Sequence, residues 1–401
     1  MKINMKAMAC IAILCAKNLL HAYSAVVINP IADLVAEPMA QLKKRSQGKH
    51  SYDHIPMCGG SLNPFEACPR THQLRANEIV EVLEERGEDI KVRISSCYYM
   101  CPRTGKPQST YWMHKKDIIP QNALSCCTQE SRIPETINHA HKQIAPCITL
   151  AQPWYDHRTQ TLFSAGTRFK AQRPGKKRHR IFVFDPEKKE YVVSACPASH
   201  CISIRTASLA EKRKRMVSLA RSWTANDAGF VPYVWGGCSI ATRIDHSHAQ
   251  EYEFKMIDGK RATYYKWPNE AHGPKAGIDC SNLIALAAQS VGIPYFCKNT
   301  YTIERTLSPL KHNDKLEVGD VMWIRGHVMI VADLKKNTFI EARHYSHGYG
   351  KVHEIPLSEG FKDMHTYDIL RTQYEQQKPV GRIDNKGNVR DRMQIKLFKL
   401  T

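Results

Sequence analysis

The stretch from Asp279 to Pro294 constrains this chain more than any other. Leu283, Ile284, Ala287, Ala288 and Val291 recur at helical spacing and make one apolar face. Gly292 and Pro294 stop the repeat. The helix they imply starts at Cys280, directly behind Asp279. Three strand-like runs follow it: Val321-Met322-Trp323-Ile324, His327 to Val331, and Thr338 to Arg343. A helix followed by adjacent strands is an α+β order.

The chain has 401 residues, too many for one hydrophobic core and suited to two or three domains. Residues 25–69 read as an irregular N-terminal segment. Residues 70–122 change to short strands: Glu78 to Glu84 alternates, Arg86-Gly87-Glu88-Asp89 turns, and Ile90 to Ile94 alternates again. That is the signature of a small all-β barrel. Residues 145–208 read as a second one, with Pro186-Glu187-Lys188-Lys189 turning a hairpin between Ile181–Asp185 and Tyr191–Val193. A basic amphipathic helix from Ala210 to Trp223 opens an α+β domain over 209–375. Residues 376–401 read as a basic, partly mobile tail.

The N-terminus reads as a secretory signal over 1–24. Lys2 and Lys6 precede the apolar run Ala7–Ala16, and Ala22-Tyr23-Ser24-Ala25 gives the small residues of a cleavage site. The expectation is an exported protein of the periplasm or cell envelope. The run is too short to span a bilayer, and no later segment is long and apolar enough for an integral membrane segment.

Cys10 and Cys15 fall inside that signal and leave 12 of the 14 cysteines. In an exported chain those predict disulfides or buried thiols, with close pairs at Cys97 and Cys101, Cys126 and Cys127, and Cys196 and Cys201. Zinc is the rival reading at Cys97 with Cys101 and at Cys196, His200 and Cys201. No clean CxxC pair exists, so neither a metal nor any other cofactor is expected.

The net charge of +20, from 58 Lys and Arg against 38 Asp and Glu, favours an anionic partner. There is no zinc-finger spacing, Walker loop or basic zipper, so nucleic acid is not the expected one. The basic runs Arg173–Arg180 and Glu211–Arg215 are short and read as solvated surface. Nothing in the sequence sets the oligomeric state.

Cys280 at a helix start is placed for nucleophilic chemistry. The positive end of the helix dipole favours a thiolate, and a nearby imidazole can take the thiol proton. His327, after Gly326 at a strand start, is the candidate imidazole. Lys335-Lys336-Asn337 turns the chain back toward Glu341, which a hairpin puts on the same face as His327. Glu341 is thus placed to hold the second ring nitrogen, the part a carboxylate plays in a triad. His344 is its rival for that part. Asp279 and Ser281 also fit a helix cap.

Five motifs then stand in order: Tyr233-Val234-Trp235-Gly236-Gly237, Gly277-Ile278-Asp279-Cys280-Ser281, Val318-Gly319-Asp320-Val321, Gly326-His327-Val328-Met329-Ile330 and Phe339-Ile340-Glu341-Ala342. Together, over about 209 to 375, they resemble the NlpC/P60 cysteine peptidases. The resemblance implies a papain-like catalytic domain behind two SH3-like barrels. It implies cleavage of peptidoglycan stem peptides or muropeptides, typically between D-glutamate and a diamino acid, without a cofactor.

By position, Cys280 would be the nucleophile, His327 the base, Glu341 the orienting group and Tyr233 an aid to the oxyanion. Trp235, Asp279 and Ser281 would contact substrate. The run from Leu74 to Glu85 resembles the start of the SH3-like domain in a subset of these enzymes. There Glu78, with Asp279 and Ser281, would hold the free amine of a first L-alanine, and Tyr111 or Trp112 would line the pocket. An ammonium offers three donors to such a set.

Three departures stand out: Glu341 where many members have His, Asn282 where Gly is usual, and 41 residues between Gly237 and Asp279. That insertion carries Tyr264, Tyr265 and Trp267. Two other classes remain open from the sequence: a wall-binding protein with a dead peptidase fold, and a papain-like acyltransferase or amidase.

Overall fold

The computed structural model describes residues 22–48, 50–53, 55, 68–124, 131–142, 144, 147–203, 207–241, 243, 250–255, 261–266, 274–344 and 349–400, with Ser203 and the two strands 250–255 and 261–266 described by backbone alone. Most of the expected signal, Cys126, Cys127 and Trp267 lie outside the described residues, as do the side chains of Tyr264 and Tyr265.

The first β unit begins earlier than the sequence suggests. Tyr23–Val27 and Ile31–Val35 are strands, and Met39–Arg45 is a helix, so the segment read as irregular is partly built into the fold. The strands join a seven-stranded sheet. Its spatial order is Arg70–Arg75, Ile31–Val35, Thr110–His114, Asp89–Arg93, Ile79–Arg86, Tyr23–Val27 and Ile118–Pro120. Alternation explains its core: Val80 and Val82, Ile90 and Val92, and Tyr111 and Met113 all point into one buried cluster. Among the described residues this sheet is open, not a closed barrel.

The second unit holds the expected hairpin. Arg178–Asp185 pairs with Glu190–Pro197, and Asp185 lies opposite Glu190 across the turn. Ala171–Arg173 joins the hairpin as a third strand, the rest form two further small sheets, and no barrel closes among the described residues.

The third unit is a helix-on-sheet layer. Its five-stranded sheet runs in the order Lys351–Pro356, Thr338–Arg343, His327–Asp333, Val321–Ile324 and Lys396–Phe398. Thus the last strand comes from the expected tail. Apolar side chains at Ile395, Leu397, Phe398 and Leu400 are all buried, and this is what folds the C-terminus back. Against the sheet lies the helix Cys280–Ser290, buried along its whole length. Leu209–Ser222 packs beside it, started by a capping box between Ser208 and Glu211.

The units are joined through the site. Cys297–Lys298 runs parallel to Tyr98–Met100 of the first unit. The Trp235–Gly237 turn lies against Arg70, and a Cβ on Gly236 would sit 2.8 Å from the Arg70 carbonyl oxygen. Gly236 also has φ +70°, so both space and backbone require glycine there.

The nine described cysteines are free thiols, six of them buried, so among the described residues the buried-thiol alternative holds and no disulfide forms. Cys97 points into the core of the first sheet while Cys101 opens a turn, so the two diverge. Cys196 and Cys201 approach to 3.3 Å between sulfurs. Among the described residues no group of three or more His, Cys, Asp or Glu is arranged to hold a metal.

Candidate active site

Asp279 starts the helix Cys280–Ser290 by accepting from the Asn282 N–H at 2.7 Å. Both of its oxygens are engaged. Ser281 Oγ donates to Oδ1 at 2.8 Å, and Lys298 Nζ donates to Oδ2 at 2.5 Å. Lys298 and Asp279 are an almost dry ion pair, with side chains 4% and 9% exposed. Asn282, which stands where glycine is usual in the resemblance, ties the helix to the Trp235–Gly237 turn. Its Nδ2 donates to the Gly237 carbonyl at 2.7 Å.

Cys280 is therefore the first helical residue, and its side chain is buried. Burial, then the charge of Asp279, pushes its thiol up to about 12. The main-chain N–H groups of Val328 and Ser281 and the ammonium of Lys298 work the other way. The contact with Val328 puts the sulfur beside the residue that follows His327.

His327 is half-buried at the start of its strand. Its Nε2 lies 2.6 Å from Glu341 Oε2, which fixes the ring with Nδ1 on the other side. Burial lowers the imidazole pKa, Glu341 opposes that, and Arg382 and Arg343 add to it.

Glu341 is fully buried. Burial alone would raise its pKa. The charges of Arg382 and Arg343, helped by hydrogen bonds from His327 and His353, hold it well below the usual range. His353, directly across the next strand, puts Nε2 2.9 Å from Glu341 Oε1. Arg382 donates to Oε2.

His344, the rival for the orienting part, packs beside Tyr233. It lies just past the strand, with its ring 5.2 Å from that of Tyr233. Burial first, and His327 second, pull it down to about 4. Tyr233 itself is buried and bridges to Ile278, next to Asp279.

The other expected site residues are more scattered. Trp235 is half-buried and packs on both the apolar cluster around the helix Cys280–Ser290 and the cluster that holds Trp112. Trp112 is buried there, with the Arg86 guanidinium 4.8 Å from its ring centroid. Tyr111 points into the core of the first sheet, where its hydroxyl donates to the Gln108 carbonyl at 2.9 Å. Glu78 Oε1 pairs with Arg75 at 2.9 Å, and Oε2 is buried without a hydrogen bond. Arg75 in turn donates to the Cys238 carbonyl at 3.1 Å, and Cys238 lies opposite Ile278. Glu78 thus connects to the Gly277–Ile278 strand, which leads into Asp279, through Arg75 and Cys238.

The arrangement is a buried thiol at a helix start, beside Val328, and at the preceding residue an imidazole held by a buried carboxylate, on an α+β frame. A solved structure matches this architecture. An NlpC/P60 family protein from Bacillus cereus ATCC 10987 superimposes with a TM-score of 0.51 at 14% identity, over 83% of this chain and 94% of that one. The chain has that protein's fold. NlpC2 from Trichomonas vaginalis aligns over 84% of this chain and 93% of its own at 11% identity, with a TM-score of 0.31. NlpC1 from the same organism gives 12% identity, 84% and 89% coverage, and a TM-score of 0.28. Neither of these two carries weight here. No family model matches the sequence, and no curated protein matches it.

Four residues at the site are not marked by the motifs: Lys298, Arg343, His353 and Arg382. Arg343 and His353 lie on strands next to or near the Glu341 position and could be found by pairing strands. Lys298 and Arg382 carry no local signal, because only the tertiary fold brings them in.

Proposed function

We propose that this protein is a cysteine peptidase of peptidoglycan stem peptides, cutting between D-glutamate and the diamino acid. The observation that supports it best is the His327–Glu341 bond beside a thiol at a helix start. As Cys280 Sγ bonds to the substrate carbonyl carbon, His327 Nδ1 takes the thiol proton. The Cys280 N–H, one of the first-turn donors without a helical acceptor, stabilises the oxyanion. The C–N bond then breaks, and His327 protonates the departing amine. Water, deprotonated by the same imidazole, hydrolyses the thioester and frees Cys280. Export to the cell envelope is part of this proposal, because that is where the substrate lies.

The alanine end of the substrate admits two readings. In the first, Glu78, Asp279 and Ser281 hold a free L-alanine amine, and the unbonded Glu78 Oε2 favours it. In the second, the alanine is acylated, as in wall still attached to glycan. The Asp279–Lys298 and Glu78–Arg75 pairs favour this one, since each carboxylate already has a cation. The experiment offers L-Ala-γ-D-Glu-diaminopimelate, its N-acetyl form and intact cross-linked wall, with products read by mass spectrometry. Release of the diamino acid from none of them rejects the proposal. Faster cleavage of the free tripeptide selects the first reading, and faster cleavage of the acylated forms selects the second.

A further inference from the structure

We infer that Arg382, from the C-terminal segment, is a positioning residue that aims His327 by clamping Glu341. This rests on the peptidase reading of the same site. Arg382 sits on the strand Val380–Ile383 and is buried. One guanidinium nitrogen, Nη2, donates to Glu341 Oε2, the same oxygen that lies 2.6 Å from His327 Nε2. The other, Nη1, donates to the Gly360 carbonyl at 3.0 Å. The planar group lies 4.7 Å from the Phe361 ring centroid and 5.6 Å from that of Phe339. Two hydrogen bonds and two aromatic faces leave the guanidinium one orientation.

The clamp answers a specific problem. Glu341 is shared by two imidazoles, His327 on one oxygen and His353 on the other. A carboxylate free to rotate about its last torsion could exchange them. Arg382 fixes Oε2 toward His327, while Arg343 Nη1 stands 3.7 Å from Oε1 on the His353 side. The Arg343 guanidinium is itself anchored, by a bond to the Ile383 carbonyl and by the Tyr349 ring 4.5 Å away. The strand Val380–Ile383 thus acts on the site through both arginines.

Glu341, Arg382 and Arg343 act on the His327 imidazole, His344 feels it, and His353 faces it across Glu341. Removing the Arg382 cation leaves the Glu341 charge less opposed, so the imidazole holds its proton to higher pH. Loss of aim costs turnover as well, about a hundredfold for a displacement of the order of 1 Å.

The test follows the full-length protein with Arg382→Met and Arg382→Lys. The first readout is the His327 imidazole titration by NMR, which needs no substrate. We expect Arg382→Met to move that titration to higher pH. Arg382→Lys, which keeps the charge and loses the fork, should leave it near wild type. With an active substrate, both should lose kcat with KM little changed, Arg382→Lys less than Arg382→Met. A wild-type His327 titration in folded Arg382→Met overturns the clamp, whether or not the protein cuts wall peptides. If Arg382→Met does not fold, Arg382→Lys decides alone through kcat, and unchanged kcat there overturns it. Loss of all wall-peptide activity in wild type, with the expected titration shift intact, rejects the peptidase reading and keeps the clamp.

Discussion

At rest, Cys280 and His327 should be a neutral pair, not a thiolate facing an imidazolium. The thiol is pushed up to about 12 by burial and by Asp279, while the imidazole is held below its ordinary value by burial. At pH 8 a thiol at about 12 is ionised in about one molecule in ten thousand, against about a quarter for a free cysteine. Alkylation of Cys280 by iodoacetamide should then run about a thousandfold slower than that of a free thiol. It should rise about tenfold per pH unit between pH 7 and 10, without a plateau.

The assay is the rate of alkylation of the Cys280 peptide, followed by mass spectrometry. Cys101 supplies the internal control. It is half-exposed, and although burial would raise its thiol, hydrogen bonds from Thr104 and Arg103 lower it. It should react first. The reasoning is refuted by a flat, fast Cys280 alkylation from pH 5 to 8 that collapses in His327→Ala. That pattern belongs to a preformed ion pair.

Three other predictions follow from the same geometry. Turnover should fall as the pH drops below about 6.5 and through the lowered His327 pKa, because a protonated imidazole cannot accept the thiol proton; a pH series of kcat/KM checks it. His72, His327, His344 and His353 are all held neutral by burial. The unfolded chain therefore binds more protons below about 6.5, and urea midpoints should decline as the pH falls from there, with Glu341 adding to the loss below about 4.5. Finally, Lys298→Met strips Asp279 of its buried cation and should cost about 3 kcal/mol in urea unfolding, the low end for a broken buried pair, since Ser281 and Asn282 still donate to the carboxylate.

The parts of the fold legible in sequence were those governed by short-range pattern. The apolar repeat from Leu283 to Val291 defines the central helix. Alternation at Ile90–Ile94 and the Pro186–Lys189 turn define their hairpins. His327 and Glu341 could be paired because a tight turn, with Asp333 accepting from the Lys335 N–H at 2.9 Å, sets their register.

What failed to show in the sequence depends on contacts between distant segments. Ile31–Val35 looks irregular by itself and becomes a strand only against Arg70–Arg75. Lys396–Phe398 looks like part of a polar tail until the open edge of Val321–Ile324 takes it as a fifth strand. Tyr111 alternates as an outward or inward residue with equal ease, and the sheet register turns it inward. The cations at the site are invisible for the same reason: Lys298 and Arg382 lie 19 and 41 residues from the carboxylates they hold.

The central claim is that Cys280 is the nucleophile. Purified wild type and Cys280→Ala should be compared on the γ-D-glutamyl-diaminopimelate peptides, with circular dichroism to confirm that both are folded. The account expects cleavage by wild type and none by Cys280→Ala above background. Equal turnover by the two proteins would contradict it.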